Sequence, residues 1–199
     1  MIFRDHDYPA DPYPGARPGS SFVHRDGCGY ALPGELDHTG RIPVLAYGSN
    51  ACPSKITWLR ENLGLAGDVL VVRAECTGLS AVWAAGFRER DGQRPATLAA
   101  YPGVVETHAV WLATPDQVAV LDVCEGRGKR YHLARLKTGV SLWNGMRLTE
   151  VFAYVGASPE RMPLLVDGAP VRMEDVPQGK IRSLNGVPAP SHGLDIVIV

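Results

Sequence analysis

The sequence lacks the features that would mark several common classes of protein. It has no apolar run near the roughly 20 residues that cross a bilayer, and its opening stretch, MIFRDHDYPADPYPG, holds no apolar segment of signal-peptide length. A cytoplasmic protein without a membrane partner is expected. It has no surplus of charge: 20 Lys and Arg stand against 21 Asp and Glu, a formal net charge of -1. No long-range field therefore gathers nucleic acid or an anionic surface, and neither is expected as a partner. Cysteine is sparse. Cys28, Cys52, Cys76 and Cys124 are scattered without a C-x-x-C pair, and with the six histidines they show no usual zinc-ligand spacing. They read as reduced packing groups, and no metal is expected.

What remains is ordinary material for one core. The chain has 199 residues, 45% hydrophobic and 21% charged, within the range of a single globular domain with extensions. Residues 1–41 are dense in turn formers, among them Pro9, Pro12, Pro14, Pro18, Pro33, Gly15, Gly19, Gly27 and Gly34, and predict an irregular arm pinned by Tyr8, Tyr13, Phe22 and Tyr30. The predicted division is this arm, a core domain over residues 42–157, and a C-terminal extension over 158–199 packed on it. The two extensions are candidates for covering a site or for a homodimer contact.

From Ile42 the patterning changes. Ile56, Leu59 and Leu63 follow Pro53 at helical spacing and stop at Gly64, predicting a helix. Strands are predicted at 69–74, 79–84, 96–101 and 108–113, with a hairpin turn at Asp91-Gly92. Thr114-Pro115-Asp116-Gln117 has the form of a capping box and predicts a helix to about Cys124, ended by Gly126. Alternation resumes at 131–136, 140–143 and 148–155, Ser158-Pro159 suggests a short helix, and Ile196 to Val199 is strand-like. Many short strands with two clear helices predict an α+β domain whose sheet is curled, with a barrel as one form.

Two places carry chemistry. Glu125 falls at the C-terminal end of the second helix, where the macrodipole disfavours negative charge, so its pKa is pushed upward toward the range of a general acid or base. The alternative is a solvated helix end neutralised by Arg127, Lys129 and Arg130. In Val44-Leu45-Ala46-Tyr47-Gly48-Ser49-Asn50 a buried strand ends in small polar residues ahead of a helix. Such a loop can be a cap alone, or can turn backbone N–H groups toward a carboxylate or an oxyanion.

Tyr47-Gly48-Ser49-Asn50 at a strand end, Pro95-Ala96-Thr97-Leu98 after a hairpin, and Leu121-Asp122-Val123-Cys124-Glu125-Gly126 leading to Tyr131 resemble the ordered motifs of the gamma-glutamylcyclotransferase-like superfamily. The resemblance covers about Ile42 to Val155. It departs from the family at Ala51, where a large apolar residue is usual, and in the long arm before the first motif. It implies a gamma-glutamylcyclotransferase-like mixed β-barrel with flanking helices, Glu125 as catalytic acid and base, and Tyr47, Gly48, Ser49, Asn50 and Tyr131 as substrate-binding residues, with Tyr154 a weaker candidate for the same wall. The implied reaction releases 5-oxoproline from a small γ-glutamyl amine, amino acid or peptide, and requires no cofactor because the nucleophile belongs to the substrate. A non-enzymatic small-molecule binder using the same cavity is the alternative. A thiol mechanism at Cys124 or Cys28 with His132 or His108 is a third reading, opposed by the negative helix end beside Cys124.

Overall fold

The computed structural model describes residues 1–32, 38–137 and 139–199; Pro33 and Gly34, named above as turn formers, lie outside them. In chain order the strands are β1 (Ile2–Phe3), β2 (Phe22–Arg25), β3 (Cys28–Ala31), β4 (Ile42–Ala46), β5 (Val69–Trp83), β6 (Ala96–Ala113), β7 (Tyr131–Leu136), β8 (Val140–Leu142), β9 (Arg147–Leu148), β10 (Val151–Gly156), β11 (Leu164–Val166), β12 (Ala169–Pro170), β13 (Val187–Pro188) and β14 (Ile196–Ile198). The helices are α1 (Pro53–Leu63), α2 (Pro115–Glu125) and the short α3 (Gln178–Ile181).

The sheet is organised by one antiparallel ladder between β5 and β6, running from Leu70 opposite Leu112 to Trp83 opposite Ala96. Four of the predicted strands fuse into these two. The gaps predicted between 74 and 79 and between 101 and 108 are bridged through a bulge: Thr77 pairs with Val105 and Leu79 with Ala100, while Gly78 takes a φ of +78° that glycine adopts without strain. At the far end Arg88 N donates to Gln93 O and Gly92 N to Arg88 O, closing the predicted turn.

β4 lies antiparallel to β6 and parallel to β10, which pairs with β7, and β7 with β14. Alternation along β4 feeds both faces of the sheet. Val44 and Ala46 join a cluster with Ile56 and Leu59 of α1 and Val118 and Leu121 of α2. Leu45 and Tyr47 join the other cluster, with Leu79, Trp83, Leu98 and Leu164. Both long helices therefore pack on one face, and their ends converge near the end of β4.

The expected barrel is corrected. Among the described residues the main sheet is open, with β1 and β14 as its ends. Short terminal strands occupy the edges that closure would have to join. Part of the expected irregular arm is also regular: β2 and β3 form a hairpin on β5, Val23 opposite Leu70. Its turn is Asp26-Gly27, both at positive φ, the chemistry of a tight two-residue hairpin.

The C-terminal extension is fastened through a buried carboxylate. Glu106, 7% exposed, accepts from Ser80 Oγ, Ala81 N at 3.0 Å, His108 Nε2 at 2.9 Å and Arg172 Nη2 at 2.8 Å. Burial alone would raise its pKa; the bonds from His108, Ser80, Ala81 and Arg172 more than offset this and bring it to about 2. Because the folded value lies below the ordinary 4.5, its stabilisation is present above that value and is lost as pH falls toward about 2. Urea titrations across this window are expected to show a steeper loss of stability for the wild type than for Glu106→Gln. The capping box is present as predicted, Gln117 N donating to Thr114 Oγ1 at 3.2 Å and Thr114 N to Gln117 Oε1 at 3.1 Å. Thr114→Ala is expected to lower stability by about 1 kcal/mol, measured by urea unfolding.

Candidate functional site

The chain leaves β4 at Tyr47, passes Gly48 and makes a 3-10 turn over Ser49–Ala51 before Pro53 opens α1. Gly48 answers to space: a Cβ there would stand 2.6 Å from the Tyr13 hydroxyl, so a side chain at 48 would displace the arm. The loop is pinned from neighbouring strands and from the arm. Trp111 Nε1 donates to Asn50 O at 2.8 Å, Tyr47 OH donates to Tyr154 O, and Arg17 Nη1 donates to Tyr47 O at 3.1 Å. The first amides of such a turn have no acceptor within it, which is what an anion requires of a loop.

Glu125 is the last residue of α2 and meets this loop across the convergence of the two helices. Asn50 Nδ2 donates to Glu125 Oε1 at 2.8 Å. Arg130 covers the helix end, its Nε donating to Glu125 O at 3.2 Å and its Nη2 to Cys124 O at 2.7 Å. Burial raises the Glu125 pKa, while the Asn50 bond and the charges of Lys55, Arg130 and Arg161 work against that rise. The solvated-end alternative does not describe this geometry. Of the three cations it invoked, Arg130 binds main-chain carbonyls, Arg127 turns to Asp122 at 3.0 Å, and Lys129 is exposed.

All six residues singled out in the sequence, Tyr47, Gly48, Ser49, Asn50, Glu125 and Tyr131, line one cavity of about 920 Å³, and Tyr154 lines it too. Tyr131 OH donates to Ala96 O at 2.9 Å, and Ala96 N donates to Tyr13 OH at 3.0 Å, so the Pro95-Ala96 corner is held between two tyrosines. Asn50 Oδ1 is buried without a hydrogen-bond partner, an acceptor left for a ligand.

Sequence reasoning missed three parts of this wall. Tyr13 comes from the arm and is 7% exposed; its signal was an aromatic residue inside Asp11-Pro12-Tyr13-Pro14. Lys55 stands on α1, and Arg161 arrives from the turn after β10. Neither carried a local signal. The cysteine reading finds no support in the electrostatics, because burial pushes the Cys124 thiol pKa up, away from the thiolate. His108, one of its suggested bases, bonds Glu106 instead. Among the described residues no group of three or more His, Cys, Asp or Glu is placed to hold a metal ion, and no helix is long and apolar enough to cross a membrane.

Neither a family model nor a curated protein matches the sequence. Solved structures that match include a human protein described as uncharacterized, with a TM-score of 0.49 and 17% identity over 60% of this chain and 68% of that one. Another is described as gamma-glutamyl cyclotransferase, with a TM-score of 0.48 and 17% identity over 59% of this chain and 67% of that one. A third, from Arabidopsis thaliana, has a TM-score of 0.44 and 18% identity over 70% of this chain and 82% of that one.

Proposed function

We propose that the protein is a cyclotransferase that releases 5-oxoproline from a γ-glutamyl amine, amino acid or peptide. The observation that carries this reading is the Asn50 to Glu125 hydrogen bond on the cavity wall, with Asn50 Oδ1 buried and unpaired beside it. A carboxylate and a free acceptor side by side form a receptor for an ammonium group. The raised pKa of Glu125 suits it to take a proton and to return it.

In this mechanism Glu125 takes a proton from the substrate α-ammonium, and the freed amine attacks the γ-carbonyl to form a carbon–nitrogen bond in a five-membered ring. The loop at Gly48, Ser49 and Asn50 directs its amides at the developing oxyanion, a contribution of about 10²–10³ per donor. As the bond to the leaving nitrogen breaks, Glu125 delivers its proton to that nitrogen. The ring nitrogen sheds its second proton, and the amine departs as an ammonium ion. Both bonded partners start on one molecule, so the cavity's task is to fold the γ-glutamyl chain back on itself.

Glu125→Gln is expected to keep ligand binding and to lower 5-oxoproline formation by about 10²–10⁴, measured by product assay beside calorimetric binding; unchanged turnover would sink the proposal. The acid limb of kcat/KM is expected above the ordinary carboxylate value of 4.5, because burial raises the Glu125 pKa. Asn50→Ala removes a bond that lowers that pKa, so its pH profile is expected to move to higher pH with reduced activity at neutrality. A limb that stays in place contradicts the assigned pairing.

A further inference from the structure

Lys55 is a cation whose position the fold does not explain. It occupies the first turn of α1 and is 6% exposed. Its ammonium lies 3.7 Å from the centroid of the Trp58 ring, and its other polar neighbour is the Cys124 thiol. Among the described residues no carboxylate forms an ion pair with it. Moving an ammonium from water into such surroundings is costly unless a counter-charge is supplied, and burial lowers its pKa in keeping with that cost.

The other cations of the cavity have protein acceptors. Arg130 binds the carbonyls of Cys124 and Glu125, Arg88 pairs with Asp91 and stacks on Tyr13, and Arg90 reaches Asp91 at 3.3 Å. Arg161 Nη1 lies 3.4 Å from Phe87 O, while its Nε is buried without a hydrogen-bond partner. Lys55 alone of these has no oxygen partner among the described residues. It lines the same cavity as Glu125, the two projecting from α1 and α2, and the attraction between them is not discharged in an ion pair.

Two opposite charges on one cavity wall, not joined in an ion pair, offer separate partners to the carboxylate and the ammonium of one ligand. We infer that Lys55 receives the α-carboxylate of the γ-glutamyl head while Glu125 and Asn50 Oδ1 take its α-ammonium. The substrates are therefore γ-glutamyl compounds with a free α-carboxylate, and their α-amides are rejected. Lys55 is thus a specificity-determining residue: by fixing one substituent of the α-carbon it aims the amine at the γ-carbonyl. The identity of the ligand rests on the cyclotransferase reading, but the receptor can be tested apart from the reaction.

The experiment compares a γ-glutamyl amino acid with the same compound bearing an α-carboxamide, on the wild type, Lys55→Met and Lys55→Arg. Met keeps an unbranched stem against Trp58, and Arg keeps the charge. Lys55→Met is expected to raise KM for the acid by about 10–100-fold with a smaller change in kcat, to leave KM for the amide unchanged, and to be largely rescued by Lys55→Arg. Equal KM ratios for the two compounds in wild type and Lys55→Met overturn the inference. If Lys55→Met does not fold, the wild type decides: handling acid and amide alike overturns it, and rejecting the amide while Lys55→Arg retains the acid supports it. Calorimetric binding of the acid to Glu125→Gln, with and without Lys55→Met, separates the two readings. Lys55-dependent binding with no 5-oxoproline from the wild type overturns the reaction and supports the receptor; 5-oxoproline formed with a KM indifferent to Lys55 does the reverse.

Discussion

A half-buried carboxylate on the cavity wall, at the negative end of a helix, is held in place by the side-chain amide of Asn50, 75 residues earlier in the chain. This pairing constrains much of the structure. Asn50 must leave the end of β4 at the right height, which Trp111 secures by donating to its carbonyl from β6. α2 must end beside that point, which its packing with α1 on one face of the sheet ensures. The unpaired carbonyls of the helix end, an added burden beside a carboxylate, are taken up by Arg130. Without that guanidinium the last turn would present carbonyls and carboxylate of like polarity to one another.

The electrostatics of the cavity follow from how its cations are employed. Arg88 and Arg130 are committed to Asp91 and to carbonyls, which fixes their positions and blunts their fields. Lys55 is not so committed. The cavity wall therefore combines a carboxylate of raised proton affinity, an unpaired amide oxygen and an ammonium without a carboxylate partner among the described residues, together with Tyr13, Tyr47 and Tyr131.

What could be read from the sequence divides by range. The Thr114 to Gln117 capping box and the Gly64 and Gly126 stops are local chemistry, and the helices they predict are present with bounds shifted little. The unusual position of Glu125 followed from the same helix end. Apolar patterning predicted strands that stop at 74 and 101 and restart at 79 and 108, and only the opposite strand reveals that one ladder spans both gaps. The Asp26-Gly27 hairpin was lost among surrounding prolines and glycines, although its turn chemistry was in view. Tyr13 was legible as an aromatic pin of the arm but not as part of the wall, and Lys55 and Arg161 were illegible because a basic residue is placed in a cavity by packing between distant segments, which no spacing encodes. Closure of the sheet was beyond the pattern too, since that depends on which strands occupy its edges.

Tyr13 completes the site only because other segments hold it. Its amide donates to Gln93 Oε1 at 2.6 Å, and its carbonyl accepts from Gln178 Nε2 at 3.2 Å. Gln178 Oε1 in turn accepts from Arg94 N at 3.0 Å. A residue near the beginning of the chain is thereby clamped by one near its end. The arm can therefore gain this clasp only when the α3 segment is in place, which ties one side of the cavity to a segment 165 residues further along the chain.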